Sequence, residues 1–377
     1  MEDVSSPPSR PPGSSPLSPV GVAVAAVLAV FVLFVLVSPV QLLNLAFGLW
    51  FTQLFVFLGG GWLLLRATGR PPARYTGLTR GGPALAAFGF AVGLANFVGI
   101  VAPLQYVAQK LLPPVWQDYD VAGLFLGQST GELVFIALGV GLGAPLCEEF
   151  FFRGFFFQGL HARGGPPWRA LVVSAVLFSA FHLDRMGFLA RVELGLVFGW
   201  LLWRTGSLWP GILAHAANNL VSLALFFGAR HVADPPTASA HTEALSVALM
   251  VLVGCAALSG LFALARRLPA LLGAPRLEET PEPPVFLVPA LPRLVLPWVL
   301  AATLSLGAYV VLDPLGVQLS RIDLLHPLAP VPKDAPDVLH AERQALYELR
   351  VRAHQGEVPL VEYTRERVRQ ARRAGSP

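Results

Sequence analysis

Long unbroken runs of apolar residues, separated by short polar or Pro- and Gly-rich stretches, make up most of the chain. A helix that crosses a bilayer needs about 20 mostly apolar residues, whereas a spanning β-strand shows about ten residues of alternating polarity. Because the runs here are of the first kind, they predict an all-α, polytopic bundle of about eight or nine transmembrane helices. The predicted spans are 20–38, 41–65, 84–107, 130–160, 168–183, 187–204, 207–228, 243–265 and 294–316.

The spans and the stretches between them divide the chain into five predicted regions. The first 19 residues are rich in Pro and Ser, which favours a disordered tail. The apolar run from Val20 to Val37 is too long for the core of a signal peptide, so we interpret it as a first transmembrane helix. The regions are a disordered tail (1–19), N-terminal transmembrane helices (20–129), a helical core (130–228), C-terminal transmembrane helices (229–317) with a Pro-rich linker (268–293), and a charged, partly helical tail (318–377).

The composition supports a membrane protein and excludes several other classes. Hydrophobic residues make up 54% of the chain and charged residues only 13%, against roughly 25% charged residues in soluble domains. The net charge of +4 comes without a basic stripe interleaved with aromatic residues, so nucleic acid is not an expected partner. The two cysteines, Cys147 and Cys255, lie in apolar stretches and predict neither a disulfide framework nor a metal motif.

Basic residues in short loops predict the orientation of the bundle. The loop after the second span holds Arg66, Arg70, Arg74 and Arg80 and no acidic residue. The excess of Arg and Lys in cytoplasmic loops places this loop, and with it the N-terminus, in the cytoplasm. Nine spans would then place the C-terminal tail on the opposite side of the membrane.

The first cluster of ionisable residues lies at the end of the fourth apolar run, in Cys147–Arg153. Glu149 and Arg153 are four residues apart, so on a helix they share a face and can pair. Glu148 is rotated about 100° from that face and is left without the arginine. A carboxylate in an apolar pocket has its charged form disfavoured, which suits a general base. The alternative is that both acids merely solvate a helix end.

Two further motifs repeat the four-residue spacing on other predicted helices. Phe178 and His182 share a face near the end of the span 168–183, and His215 and Asn219 share a face in the span 207–228. Taken singly, each has an ordinary explanation, as a packed histidine or as a hydrogen bond between helices. Polar residues on three helices within apolar sequence together predict one polar pocket in the membrane core, with a base, two imidazoles, an amide and a guanidinium.

The order Glu-Glu-x-x-x-Arg, Phe-x-x-x-His and His-x-x-x-Asn resembles the signature of the CAAX-processing and bacteriocin-processing intramembrane endopeptidases, also called the CPBP or Abi family. The similarity covers about 130–225, and the lead-in 206–210 also resembles bacterial members. The resemblance implies an intramembrane glutamic endopeptidase, a hydrolase that works without a cofactor. It assigns water activation to Glu148 and His182. It assigns stabilisation of the tetrahedral oxyanion to His215 and Asn219.

The same resemblance implies supporting roles for three more residues. Glu149 and Arg153 would hold the site in shape, and Phe178 would pack behind His182. Arg191 and Glu193 depart from the expected pattern, because they fall in a span that should be apolar. They leave the depth of the span 187–204 open.

The resemblance also implies the partners and the location. The expected partners are membrane lipid and a peptide or membrane-anchored protein, either prenylated and CAAX-like or bacteriocin-like. Eukaryotic relatives remove the last three residues of prenylated CAAX proteins. The expected location is the inner membrane of a bacterial cell, as a multi-pass protein.

Other functions fit parts of the pattern. Glu148, His182 and His215 could bind zinc with one open position, as in a zinc-dependent membrane protease, although no His-Glu-x-x-His helix is present. Buried Glu, His and Arg residues are also typical of transporters and proton relays, but the motif is not repeated in two halves of the chain. A scaffold that keeps the fold without catalysis is the third alternative.

Overall fold

The computed structural model describes residues 17–113, 128–162, 167–229, 240–267, 291–329, 331 and 335–374. The regular elements in these ranges are helices, and the all-α polytopic bundle is confirmed. The predicted N-terminal tail, apart from residues 17–19, and the predicted linker, apart from residues 291–293, lie outside the described ranges.

Helices occur at all nine predicted positions. Seven of the described helices are long and apolar enough to cross a membrane. The helices, in chain order, are α1 (Pro19–Val37), α2 (Val40–Leu43), α3 (Leu45–Ala67), α4 (Pro72–Tyr75), α5 (Pro83–Leu111), α6 (Thr130–His161), α7 (Trp168–Ala180), α8 (Phe188–Thr205), α9 (Trp209–Ala229), α10 (Ala240–Arg266), α11 (Leu291–Leu312), α12 (Pro314–Leu325), α13 (Asp337–His354) and α14 (Leu360–Ala374).

The two short predicted spans form a hairpin. α7 has only 13 residues, less than the length of about 20 that a bilayer requires, and α8 has 18 residues that include three charged ones. The two helices pack side by side, and α8 ends at Gly206 in the left-handed conformation with φ of 64°. The turn between them carries His182 and Asp184.

Contacts between loops define two faces of the bundle. Ser207 Oγ donates to the carbonyl of Arg80 at 2.6 Å, and Gln158 Nε2 donates to the carbonyl of Tyr75 at 2.9 Å. The ends of α3, α6 and α8 and the start of α9 therefore share one face. We call it the arginine face, after Arg66, Arg70, Arg74, Arg80, Arg169, Arg204, Arg266 and Arg267.

The opposite face joins the α2–α3 junction, the start of α6 and the C-terminal helices. Asn44 Nδ2 donates to Glu132 Oε1 at 2.6 Å, and Ser320 Oγ donates to the carbonyl of Leu43. His354 Nε2 lies 2.7 Å from Asp313 Oδ1, and its Nδ1 lies 3.9 Å from Glu132 Oε1. The helices α12–α14, here called the tail unit, thus pack onto the face opposite the arginines.

Close helix packing forms the core around the site. Gly89 and Gly93 lie one turn apart on α5 and face α9, where a Cβ atom at Gly93 would lie 2.7 Å from the Cα of Ala214. Small residues at this spacing let two helix backbones approach closely. On the other side of α6, buried phenylalanines at 150–152 and 155–157 fill the space between α1, α3 and α7.

Candidate active site

The helix α6 carries the Glu-Glu motif in a backbone with irregular turns on both sides. Wider π-helical turns span Gly139–Gly143 and Phe150–Phe157 and flank the regular turn Ala144–Glu149. Pro145 lacks an amide hydrogen, so it cannot donate to a carbonyl of the preceding turn. Interrupted turns of this kind are frequent at functional sites, because they redirect side chains within one helix.

Glu149 is the centre of a fully buried ion pair. Arg153 Nη1 donates to Glu149 Oε1 at 2.9 Å, and neither side chain is exposed to solvent. The predicted pairing of these two residues is therefore present. The guanidinium also lies over the ring of Phe178, with 4.2 Å from Cζ to the ring centroid, and 5.4 Å from that of Phe198. Opposite charge and aromatic faces both compensate the removal of the arginine from water.

Glu148 faces a different set of groups. Gln53 Nε2, on α3, donates to Glu148 Oε1 at 2.8 Å. The other oxygen, Oε2, lies 3.9 Å from His182 Nε2 and has no hydrogen-bond partner among the described residues. One carboxylate oxygen is thus held and the other is directed toward the imidazole.

The contacts of His182 indicate which ring nitrogen carries the hydrogen. Nδ1 lies 2.9 Å from the carbonyl oxygen of Phe178. Because a carbonyl only accepts, Nδ1 carries the hydrogen, and in the neutral ring Nε2 presents a lone pair toward Glu148. Phe178 packs edge-to-face on the same ring at 5.0 Å. About one third of the His182 side chain is exposed, so the pocket opens on its side.

The two residues of the third motif, His215 and Asn219, contact different groups. His215 Nδ1 lies 3.1 Å from Glu149 Oε1, and its ring stacks on Phe198 at 5.0 Å. Asn219 Nδ2 donates to the carbonyl of Val140 at 2.8 Å. His215 therefore joins α9 to the ion pair, whereas Asn219 joins the same helix to the first π-helical turn of α6.

Gln53 was missed by the sequence analysis. It lies in the second apolar run, and its side chain is only 4% exposed although it is polar. Ionisable groups are the most costly in a bilayer and are therefore the strongest sign of a site in an apolar run. A single uncharged amide in an apolar run is a weaker signal, but it was visible in the sequence.

Arg191 and Glu193 do not pair with each other. Arg191 binds Asp184 in the α7–α8 turn, and Glu193 Oε2 accepts from Asn96 Nδ2 of α5 at 2.9 Å. Burial raises the pKa of Asp184, but Arg191 and the backbone amides of Met186 and Gly187 lower it by more, so it lies below its ordinary value. Arg191 and Glu193 thus have separate partners.

The zinc alternative names three ligands, Glu148, His182 and His215. Within the ranges that the structure describes, no group of three or more His, Cys, Asp or Glu side chains is arranged to hold a metal ion. Of the three candidate ligands, His215 directs Nδ1 to Glu149, while Glu148 and His182 face each other.

The fold and the site define a polytopic helical membrane protein with a buried glutamate–histidine pocket. Residues 130–221 match the family model described as Rce1-like, type II CAAX prenyl endopeptidase. This match confirms the resemblance to the CPBP family over that segment, which contains all three motifs, and it supports CAAX-type protease activity. No curated protein and no solved structure matches the chain.

Proposed function

We propose that the chain is an intramembrane endopeptidase of the glutamic type, with Glu148 and His182 activating water. The observation that carries the proposal is the geometry of Glu148. Gln53 holds one of its oxygens, and the unpartnered Oε2 and His182 Nε2 point at the same space from 3.9 Å apart. A water bound there would be hydrogen-bonded to both groups.

The hydrolysis needs only the groups of this pocket. Glu148 takes a proton from the water, and the water oxygen attacks the carbonyl carbon of the scissile peptide bond. The proton then passes to the nitrogen of the leaving amine as the C–N bond breaks, which returns Glu148 to its charged form. His182, held by its hydrogen bond to Phe178, orients the water.

His215 and Asn219 are the proposed partners of the oxyanion. The proposed role needs a hydrogen on both ring nitrogens of His215: Nδ1 lies 3.1 Å from the Glu149 carboxylate, and Nε2 would donate to the developing charge. Asn219 has a second amide hydrogen beyond the one given to Val140. Glu149 and Arg153 hold the shape of the site, with Phe178 packed behind His182.

The substrate is a peptide of a membrane-associated protein, with a prenylated, CAAX-like C-terminus as the first candidate and a bacteriocin-like leader as the second. The family match over residues 130–221 supports the first. We place the N-terminus and the arginine face in the cytoplasm of a bacterial cell, on the basis of the arginines in 66–80.

The decisive experiment measures cleavage of a fluorogenic farnesylated peptide by the full chain in proteoliposomes. Glu148→Gln and His182→Ala should each lower kcat by at least about 100-fold, because the first removes the base that takes the proton and the second removes the group that orients the water. Glu362→Gln, the same change on the exposed face of α14, is the matched control. Substantial turnover in either site variant would contradict the mechanism.

A chelation test separates the zinc alternative. We expect cleavage to survive a strong chelator, because the proposed reaction uses only carboxylate, imidazole and amide groups. Loss of activity that returns on adding zinc would instead assign Glu148, His182 and His215 to a metal.

A further inference from the structure

A cavity of about 890 Å³ lies between α7, α8 and α10, away from the candidate active site. Its walls are mostly apolar and include Leu171, Leu196, Trp200 and Phe262. Pockets that hold small molecules measure about 300–1,000 Å³. The cavity is therefore large enough for a ligand, and nothing in the proposed hydrolysis uses it.

Two arginines lie at one end of this cavity. Arg204 is in the last turn of α8, and Arg266 is the last residue of α10. From these ends the lining continues back to Leu196 on α8 and Ser259 on α10, which is about 10–12 Å of helix. The cavity is thus apolar along its depth and positively charged at the end that lies on the arginine face.

The helix α8 separates the cavity from the proteolytic pocket. Phe198 stacks on His215, and a Cβ atom at Gly195 would lie 3.0 Å from Arg153 Nη2. Trp200, which lines the cavity, is rotated about 200° from Phe198 around the helix. A ligand in the cavity would therefore contact the outer side of α8 and not the catalytic groups.

Four of the five described segments that form the surrounding face contain arginine. The segments 64–83, 158–162, 167–170, 202–210 and 264–267 contain the arginines of that face and no Asp or Glu. Interfacial arginines attract the anionic headgroups of a leaflet. Two tryptophans, Trp200 and Trp203, line the same cavity, and such rings favour the interfacial region.

We propose that the cavity binds one anionic phospholipid from the leaflet on the arginine face. The phosphate lies between Arg204 and Arg266, and an acyl chain lies along Leu196, Trp200 and Phe262. Arginine suits this role because its guanidinium stays charged and can donate two parallel hydrogen bonds to a phosphate. The ligand is a structural lipid of the hairpin α7–α8, bound whether or not substrate is present.

The test measures lipid retention by native mass spectrometry of the full chain, purified in detergent and supplied with phosphatidylglycerol or with phosphatidylcholine of the same acyl chains. We expect preferential retention of phosphatidylglycerol. Arg204→Gln and Arg266→Gln should each reduce it about fivefold, since one interfacial arginine contributes that much to binding an anionic lipid.

Two further variants make the result specific. Arg267→Gln removes the same charge from the neighbouring residue, which does not line the cavity, and should leave retention unchanged. Ser259→Phe fills the apolar part without changing charge and should reduce retention of both lipids.

Three results would overturn the proposal. The first is equal retention of the two lipids, and the second is an equal loss in Arg267→Gln. The third is displacement of the bound lipid by a farnesylated peptide, which would make the cavity a substrate site. None of these measurements uses proteolysis, so their results do not depend on the proposed function. Glu148→Gln should bind lipid as the unchanged chain does.

Discussion

At the scale of single residues, two adjacent glutamates have different surroundings because they leave α6 in different directions. Glu149 points to Arg153 and His215 and is fully buried. Glu148 points to Gln53 and His182 on two other elements. The two carboxylates are chemically identical, but their different neighbours support different roles. Substitutions at the two positions should therefore have different effects.

The amide of Gln53 should matter for catalysis. Gln53→Leu removes the donor that holds Glu148 Oε1. A hydrogen bond to a charged group contributes about 1.5–3 kcal/mol, so kcat should fall roughly 10- to 100-fold while KM changes little. Gln41→Leu is the control, because Gln41 donates to Thr52 and does not contact the site. An unchanged kcat and pH profile in Gln53→Leu would show that Glu148 is oriented without it.

Glu149 should matter for stability. Glu149→Gln leaves the buried Arg153 without its opposite charge, and such a loss typically costs about 3–5 kcal/mol. We expect a clear drop in the midpoint of thermal unfolding in detergent. Glu148→Gln is the matched comparison, since Glu148 makes no hydrogen bond to an arginine, and its midpoint should stay close to that of the unchanged chain. Equal midpoints for the two variants would argue against the division of roles.

At the scale of elements, close approach of helix backbones positions the motifs. α9 carries His215 and Asn219, and its distance from α5 is set where Gly93 faces Ala214. The proline and the π-helical turns of α6 bring Glu148 and Glu149 to neighbouring groups on α3 and α9. Small shifts between these helices would move the imidazoles away from the carboxylates.

Gly93→Ala should therefore be destabilising. The added Cβ would lie 2.7 Å from the Cα of Ala214, and backbone cannot move aside as a flexible side chain can. Overpacking of this kind costs about 1–3 kcal/mol. Gly131→Ala, on α6 with nothing within 4 Å of the added Cβ, is the matched control and should be neutral. Thermal unfolding of both variants checks the prediction, and a neutral Gly93→Ala would contradict the packing argument.

At the scale of the whole molecule, the tail unit is part of the fold. Its own core includes Leu319, Leu346 and Tyr363, and Arg350 pairs with Asp323 inside it. The unit packs onto the face opposite the arginines, through Ser320 at the α2–α3 junction.

The histidine between the tail unit and the bundle should control its docking. His354→Ala removes the contacts to Asp313 and Glu132, and residues 335–374 should then exchange amide hydrogens faster. His340→Ala, an exposed histidine on the same helix, is the control and should change nothing. Unchanged exchange in His354→Ala would mean that the apolar contacts suffice.

The contact between His354 and Asp313 should make the docking of the tail unit depend on pH. Burial raises the pKa of Asp313, but His354, Tyr309 and the amide of Gly316 lower it by more, so it lies below the ordinary value. A carboxyl whose pKa is lowered on folding stabilises above its unfolded pKa and loses that contribution as the pH falls. Amide exchange in 335–374 should therefore stay slow down to about pH 4 and rise at more acid pH. An Asp313→Asn variant should lack this rise.

The sequence alone determined the helices, the ion pair of Glu149 and Arg153 and the three motifs, because apolar length and four-residue spacing are local properties of a chain. Tertiary structure decided which groups meet. Gln53 reaches Glu148 and Asn219 reaches Val140 only because α3, α6 and α9 are neighbours. The α7–α8 hairpin and the docked tail unit likewise depend on contacts between distant segments. Residue spacing along one helix does not reveal which residues of a neighbouring helix it will contact. The glutamate–histidine pocket is formed by such contacts between helices.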